Sequence, residues 1–163
     1  MAIKFQDNSG QVKEAMRDAA IQFLYESAML VQRDAAKNTT SNTGQLKGSW
    51  NHIVDSGELK ATVGNPSEYA IWQEMGTGEY ALNGNGRKGY WVYVEGGGGK
   101  RSRSSKQYTL EEAKKVVAML RSKGLAAVYT KGSKPQRMLH KAYVNNKSRI
   151  IQRASQIFKG RIG

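Results

Sequence analysis

Few side chains in this 163-residue chain are equipped for catalysis. Cysteine is absent, which removes thiolate nucleophiles, thiolate zinc sites and disulfides and is compatible with a reducing compartment. The two imidazoles are His52, in a run that reads as a strand, and His140, on the final helix, with no HExxH spacing between them. The carboxylate with the most suggestive setting is Glu74, which lies between Trp72 and Met75 in YAIWQEMGTG, Tyr69 to Gly78. A carboxylate beside a glycine turn more often accepts backbone N–H bonds or pairs with Arg or Lys than it moves protons. No serine triad, acidic dyad or metal cluster stands out. The chain reads as non-enzymatic, with no cofactor and no metal.

Two glycine-rich stretches invite a phosphate reading, and one fails in its context, the other at functional positions. Gly84-Asn85-Gly86-Arg87-Lys88-Gly89 has GxGxxG spacing, but a strand follows it where the dinucleotide fingerprint needs a helix. GGGGKRS has Val94 at the position of the first P-loop glycine and Arg101 where Ser or Thr would hold magnesium.

Charge is more telling than motif. The formal net charge is +13, yet residues 1–94 hold 9 basic and 10 acidic side chains, and residues 95–163 hold 17 and 3. Thirteen basic residues and no acid follow Glu112, a one-sided field that attracts a polyanion or keeps a solvated face soluble. Lys100, Arg101, Arg103 and Lys106 lie in or beside the glycine–serine loop 96–106 and are candidate DNA-facing residues, suited to phosphate contact without base readout. Neighbouring Tyr90, Trp91, Tyr93 and Tyr108 offer either stacking surface or core rings.

These residues need a scaffold, and hydrophobic periodicity supplies one. Val12, Ala15, Met16, Ala19, Phe23, Leu30 and Val31 predict a helix from Gly10 to about Lys37, capped by Asn8 or Ser9. HIVDSGELKATVG predicts a hairpin turning at Ser56-Gly57. Tyr69 to Gly78 reads as a helical turn stopped by Gly76 and Gly78, with Tyr69, Trp72 and Gln73 on one side. YWVYVE reads as a strand, and Thr109 with Glu112 as a capping box that opens a helix ending at Gly124. LAAVYTKG is a further strand, and Pro135 would open a last helix through Met138, Leu139, Ala142, Ile150 and Phe158. The expectation is an α+β fold. Long first and last helices pack on a small, mainly antiparallel sheet within one domain, 1–163, that carries an inserted basic loop and helix at 95–124. The amino terminus has no apolar h-region and no run approaches the roughly 18 apolar residues of a span, so a soluble protein with no membrane partner is expected.

Three segments in order resemble a known family: TGQLKGSW (Thr43 to Trp50), YAIWQEMGTG and GSKPQRMLHKAY (Gly132 to Tyr143). The chain is similar to the neck and tail-completion proteins of long-tailed bacteriophages, typified by gene product ten of the Hong Kong phage. Thr43, Gly44, Leu46, Ser49, Tyr69, Ala70, Glu74, Gly76, Thr77, Pro135 and Ala142 occupy the family's positions. Gln136 departs from the family's Phe after the proline, and the 95–124 stretch looks inserted. The resemblance implies a non-enzymatic virion protein of the head-to-tail junction, forming a ring with itself, six-fold, around the DNA path. It implies head-side connector and tail-side terminator or tube proteins as partners, phage DNA as a non-sequence-specific one, and assembly in the host cytoplasm. Head-to-tail ring contacts would then use Tyr69, Trp72 and Glu74 or the exposed helix faces, with Gly76, Thr77 and Gly78 as further interface or turn-bracing candidates. The alternative is a cellular nucleic-acid-binding module that uses the basic carboxyl-terminal part.

Overall fold

A computed structural model describes residues 7–40, 44–95 and 106–162. The fold is α+β. In chain order come α1 (Ser9–Asn38), α2 (Gln45–Gly48), β1 (Asn51–Asp55), β2 (Lys60–Gly64), α3 (Ala70–Met75), a 3-10 turn (Gly78–Tyr80), β3 (Trp91–Val94), α4 (Leu110–Ser122), β4 (Ala127–Thr130) and α5 (Met138–Ile162). The strands form two separate antiparallel pairs, β1 with β2 and β3 with β4, rather than one sheet. The chain divides into two compact units, residues 1–67 with 138–163, and residues 68–137.

The first unit is built on α1. Its start is braced by Asp7, whose Oδ1 accepts the Ser9 N–H at 2.9 Å, while Asn8 makes no side-chain cap. Alanines at 19, 28 and 35 and Val31 are buried along α1, and Ala142 and Met138 are buried on α5. Small side chains let helix backbones approach closely, so dispersion contacts replace bulk. The two helices run antiparallel, because Phe23 meets Phe158 (ring centroids 6.5 Å apart), Glu26 meets Arg153, Asp34 meets Asn146, and Asn38 donates to the Met138 carbonyl at 3.2 Å. The β1–β2 hairpin also packs on α1. Its register pairs Asn51 with Gly64 and Asp55 with Lys60, and the turn is closed by Asp55 Oδ1, which accepts from the N–H groups of Gly57 (2.8 Å) and Glu58 (3.0 Å). Trp50 is buried in this unit; its indole donates to Thr39 Oγ1 at 2.8 Å and its carbonyl accepts from Gln32 at 2.8 Å.

The second unit combines α3, the β3–β4 pair and α4. The capping box at α4 is complete: Thr109 Oγ1 accepts from the Glu112 N–H at 3.3 Å and Glu112 Oε2 accepts from the Thr109 N–H at 2.8 Å. Ala113 and Val117 are the buried side chains of α4, which packs on β3 and β4. Pro135 does not open α5. Arg137 takes φ +53° and the helix begins only at Met138, because the stretch before it is committed to hydrogen bonds with α3.

Candidate assembly site

The segment from Gln73 to Glu79 is clasped along its length by residues 131–137. Gln136 N–H donates to the Gln73 carbonyl (2.8 Å), Arg137 N–H to that of Glu74 (3.3 Å), Thr77 N–H to that of Ser133 (2.9 Å) and Glu79 N–H to that of Lys131 (2.9 Å). Side chains repeat the pairing. Gln136 Nε2 donates to Gln73 Oε1 at 2.8 Å, Thr77 Oγ1 accepts the Ser133 N–H at 2.9 Å, and the Thr77 and Ser133 hydroxyls are 2.9 Å apart.

The glycines are what make such proximity possible. A Cβ on Gly78 would lie 2.1 Å from the Lys131 carbonyl oxygen and 2.7 Å from Trp91, and one on Gly132 would lie 2.0 Å from the Thr77 carbonyl oxygen. Gly76 ends α3 at φ +76°, and a Cβ there would meet Pro135 at 2.9 Å. Pro135 thus serves as a wall against α3's glycine turn. The sequence signal that could have revealed the clasp was GSKP standing opposite GTG, two short strings of small residues far apart in the chain.

The clasp turns α3 the wrong way round for an ordinary surface helix. Ala70 is the buried residue and Gln73 is held inward by Gln136, whereas Ile71 is 58% exposed and Trp72 is 59% exposed, with Met75 half-buried one turn on from Ile71. Tyr69 is exposed at the amino-terminal end. Tyr69 and Trp72 are therefore exposed rather than part of the core. Glu74 is half-buried, and its backbone carbonyl accepts from Arg137.

Glu79 braces this turn with its side chain. Its Oε1 accepts the Gly89 N–H at 3.2 Å and its Oε2 lies 3.3 Å from Lys131 Nζ. That ammonium also stands over the rings of Tyr80 (5.3 Å) and Tyr90 (6.0 Å). The Glu79 hydrogen bond, then the Tyr80 ring's oxygen, raises the Lys131 pKa above its ordinary value, which keeps the charge in place.

Of the DNA-facing candidates, Lys100, Arg101 and Arg103 lie outside the described residues. Lys106 stands 5.3 Å over Tyr108, and its carbonyl accepts from Arg87 at 2.6 Å, while Arg87 itself lies 5.0 Å over Trp91. Tyr90 pairs with Tyr108 by backbone hydrogen bonds and meets Tyr129 edge-on at 5.8 Å. Cations therefore stand over rings at several places in the second unit, with Tyr90 and Trp91 on alternate faces of the strand. His52 sits on β1, with Nδ1 against Gln32 Oε1 and its ring edge-on to Tyr25 at 6.2 Å, and His140 lies on α5. Among the described residues no group of three His, Asp or Glu is placed to hold a metal, and no helix is long and apolar enough to cross a membrane.

The TGQLKGSW segment does its work in the first unit. Thr43 lies outside the described residues. Gly44 precedes α2 at φ +71° with open space around its α-carbon, so the backbone angle rather than crowding calls for glycine there. Leu46 is fully buried and its carbonyl accepts from Asn65 at 2.8 Å; Ser49 Oγ donates back to the Gln45 carbonyl at 2.8 Å.

α3 thus presents exposed Ile71 and Trp72 on a turn that the clasp holds. Residues 3–76 match the family model described as "Bacteriophage HK97-gp10, putative tail-component". Two of the three segments that carry the resemblance fall in or reach into that stretch, and over it the chain is similar to a structural tail component of a bacteriophage. No curated protein and no solved structure matches the chain.

Proposed function

We propose that this chain is a virion protein of the head-to-tail junction, a neck or tail-completion component. In this reading it assembles head-to-tail as a ring, six-fold, around the DNA path and joins tail to head. The observation that carries the proposal is α3: Ile71 and Trp72 are exposed on a helix that the glycine clasp fixes, which suits a pre-formed protein contact. The family match over residues 3–76 supports the tail-component part of the reading. Contacts in a ring are heterologous, so one subunit's α3 needs a different surface on its neighbour. Connector proteins on the head side and terminator or tube proteins on the tail side are the further partners. Phage DNA is the polyanion that Lys106, Arg87 and the loop cations Lys100, Arg101 and Arg103 would face by phosphate contact.

Negative-stain imaging of a lysate from a phage lacking this gene tests the reading. Filled heads separated from tails, or defective tails, are expected, with rescue by the wild-type gene and not by Trp72→Asp. Normal infectious particles would overturn it. The cation–ring contacts of Arg87 with Trp91, Lys106 with Tyr108 and Lys131 with Tyr90 also favour a second reading, a cellular nucleic-acid-binding module. That reading requires the purified chain to bind duplex DNA at 50 mM salt, with log affinity falling at a slope of about −0.9 per phosphate neutralised, and requires normal particles from the deletion.

A further inference from the structure

The first unit carries an open groove of about 1070 Å³ between α1, α5 and β1. Its apolar floor comes from Met29, Leu30 and Ile150, and its rim carries Arg33, Arg149 and Arg153 against one carboxylate, Glu26. That carboxylate is already engaged. Glu26 accepts from Arg153 twice, at 2.8 and 3.1 Å, and this pairing holds its carboxyl below the ordinary range. Arg33 has only a long contact to Asp34, at 3.4 Å, and Asp34 is bound more closely by Asn146 at 2.7 Å. Arg149 is exposed, and no hydrogen bond or ion pair is made by it among the described residues. The groove is therefore apolar at its base and positively charged at its edge.

The second unit presents the complementary shape and charge. Ile71 and Trp72 are exposed on α3 with half-buried Met75 one turn on, and Glu68, exposed, stands in the turn just before the helix. Glu68 has no partner among the described residues. The six residues of α3 rise about 9 Å, within the roughly 12 Å spanned by the eight residues of α1 from Glu26 to Arg33.

Resting on the proposed assembly reading, we infer that the groove of one copy receives α3 of a second copy. Trp72 and Ile71 pack on Met29, Leu30 and Ile150, and Glu68 meets Arg149 at the rim. The argument is complementarity on both counts. An apolar stripe with a carboxylate beside it finds an apolar groove with an unpaired arginine, Arg149, at its edge, and the same chain carries both halves. Because the two surfaces differ, the contact is heterologous and each copy can bind one neighbour on either side.

Two variants that each destroy one half test this. Ile71→Asp spoils α3 and leaves the groove, and Arg149→Glu spoils the groove and leaves α3; both side chains are solvent-facing, so folding is retained and circular dichroism checks it. Light scattering after gel filtration, with glutaraldehyde cross-linking, is expected to give higher oligomers for the wild type and monomers for each variant alone. An equal mixture of the two variants is expected to give a species of twice the 18.0 kDa monomer mass and nothing larger, since a single intact contact remains. Glu68→Arg combined with Arg149→Glu is expected to recover part of the wild-type assembly. A mixture that stays monomeric while the wild type assembles overturns the groove as the receptor and leaves the ring reading intact. A wild type that stays monomeric at every concentration overturns this inference, and the lysate images then decide the virion reading separately.

Discussion

The two units are held together by different means. In residues 1–67 with 138–163, side chains do the holding: buried alanines close the α1–α5 seam, and polar pairs such as Asp34 with Asn146 set its register. In residues 68–137 the backbone does it, through glycines at 76, 78 and 132 that let two chain segments touch where a Cβ would collide. The lesson is that a side-chain seam degrades gradually as atoms are added or removed, whereas a backbone clasp fails at the first methyl group.

The sharpest way to break the comparison is Gly78→Ala. Its Cβ would lie 2.1 Å from a carbonyl oxygen at φ +60°, so a loss of about 3 kcal/mol is expected. Hydrogen exchange should show protection lost across residues 68–137 while the α1 and α5 amides stay protected. Equal loss in both units would remove the distinction. Ala142→Leu overpacks the buried seam and should cost about 2 kcal/mol, read as a lower midpoint in urea with α1 and α5 exchanging faster. Thr109→Ala deletes the α4 capping box and should cost about 1 kcal/mol, confined to the 110–122 amides.

The smallest effect expected is acid sensitivity. Hydrogen bonds from Arg153 lower the Glu26 pKa from 4.5, and one from Asn146 lowers that of Asp34 from 3.8. Each depressed carboxyl contributes stability that is fully present above its ordinary value and is lost as pH falls through its lower folded value. Thermal melts from pH 6 down to pH 3 should therefore fall, and Asn146→Ala should flatten the Asp34 part of that fall. An unchanged slope in this variant would assign the acid response elsewhere.

Much of the fold is legible in the sequence because periodicity and capping are local. Val12 to Val31 predicts α1, and Thr109 with Glu112 predicts the start of α4 to the residue. The clasp is not legible in the same way. The demand for glycine at 78 comes from Lys131, 53 positions away, and no local pattern announces it. Pro135 illustrates the same limit: its fixed φ suits a helix start, but hydrogen bonding of Gln136 and Arg137 to α3 outweighs that preference. On α3, Ile71 and Trp72 are exposed while Ala70 is buried and the amide of Gln73 is taken up by Gln136, an arrangement that apolar content alone does not reveal. The charge split also changes on folding. Residues 1–67 with 138–163 hold 13 basic and 7 acidic side chains, and residues 68–137 hold 13 and 6, so the two units share the excess almost equally.

The interrupted layout of the first unit bears on how the protein is made. Residues 68–137 are contiguous and can close their clasp as soon as they leave the ribosome, but α1 waits for a partner more than 100 positions downstream, as Asp34 does for Asn146. Until α5 is synthesised, the alanine face of α1 is exposed in the nascent chain, and pairing it requires a long loop closure. The helix seam is thus the last part to form and the interval in which the chain is most open to chaperone capture or to aggregation.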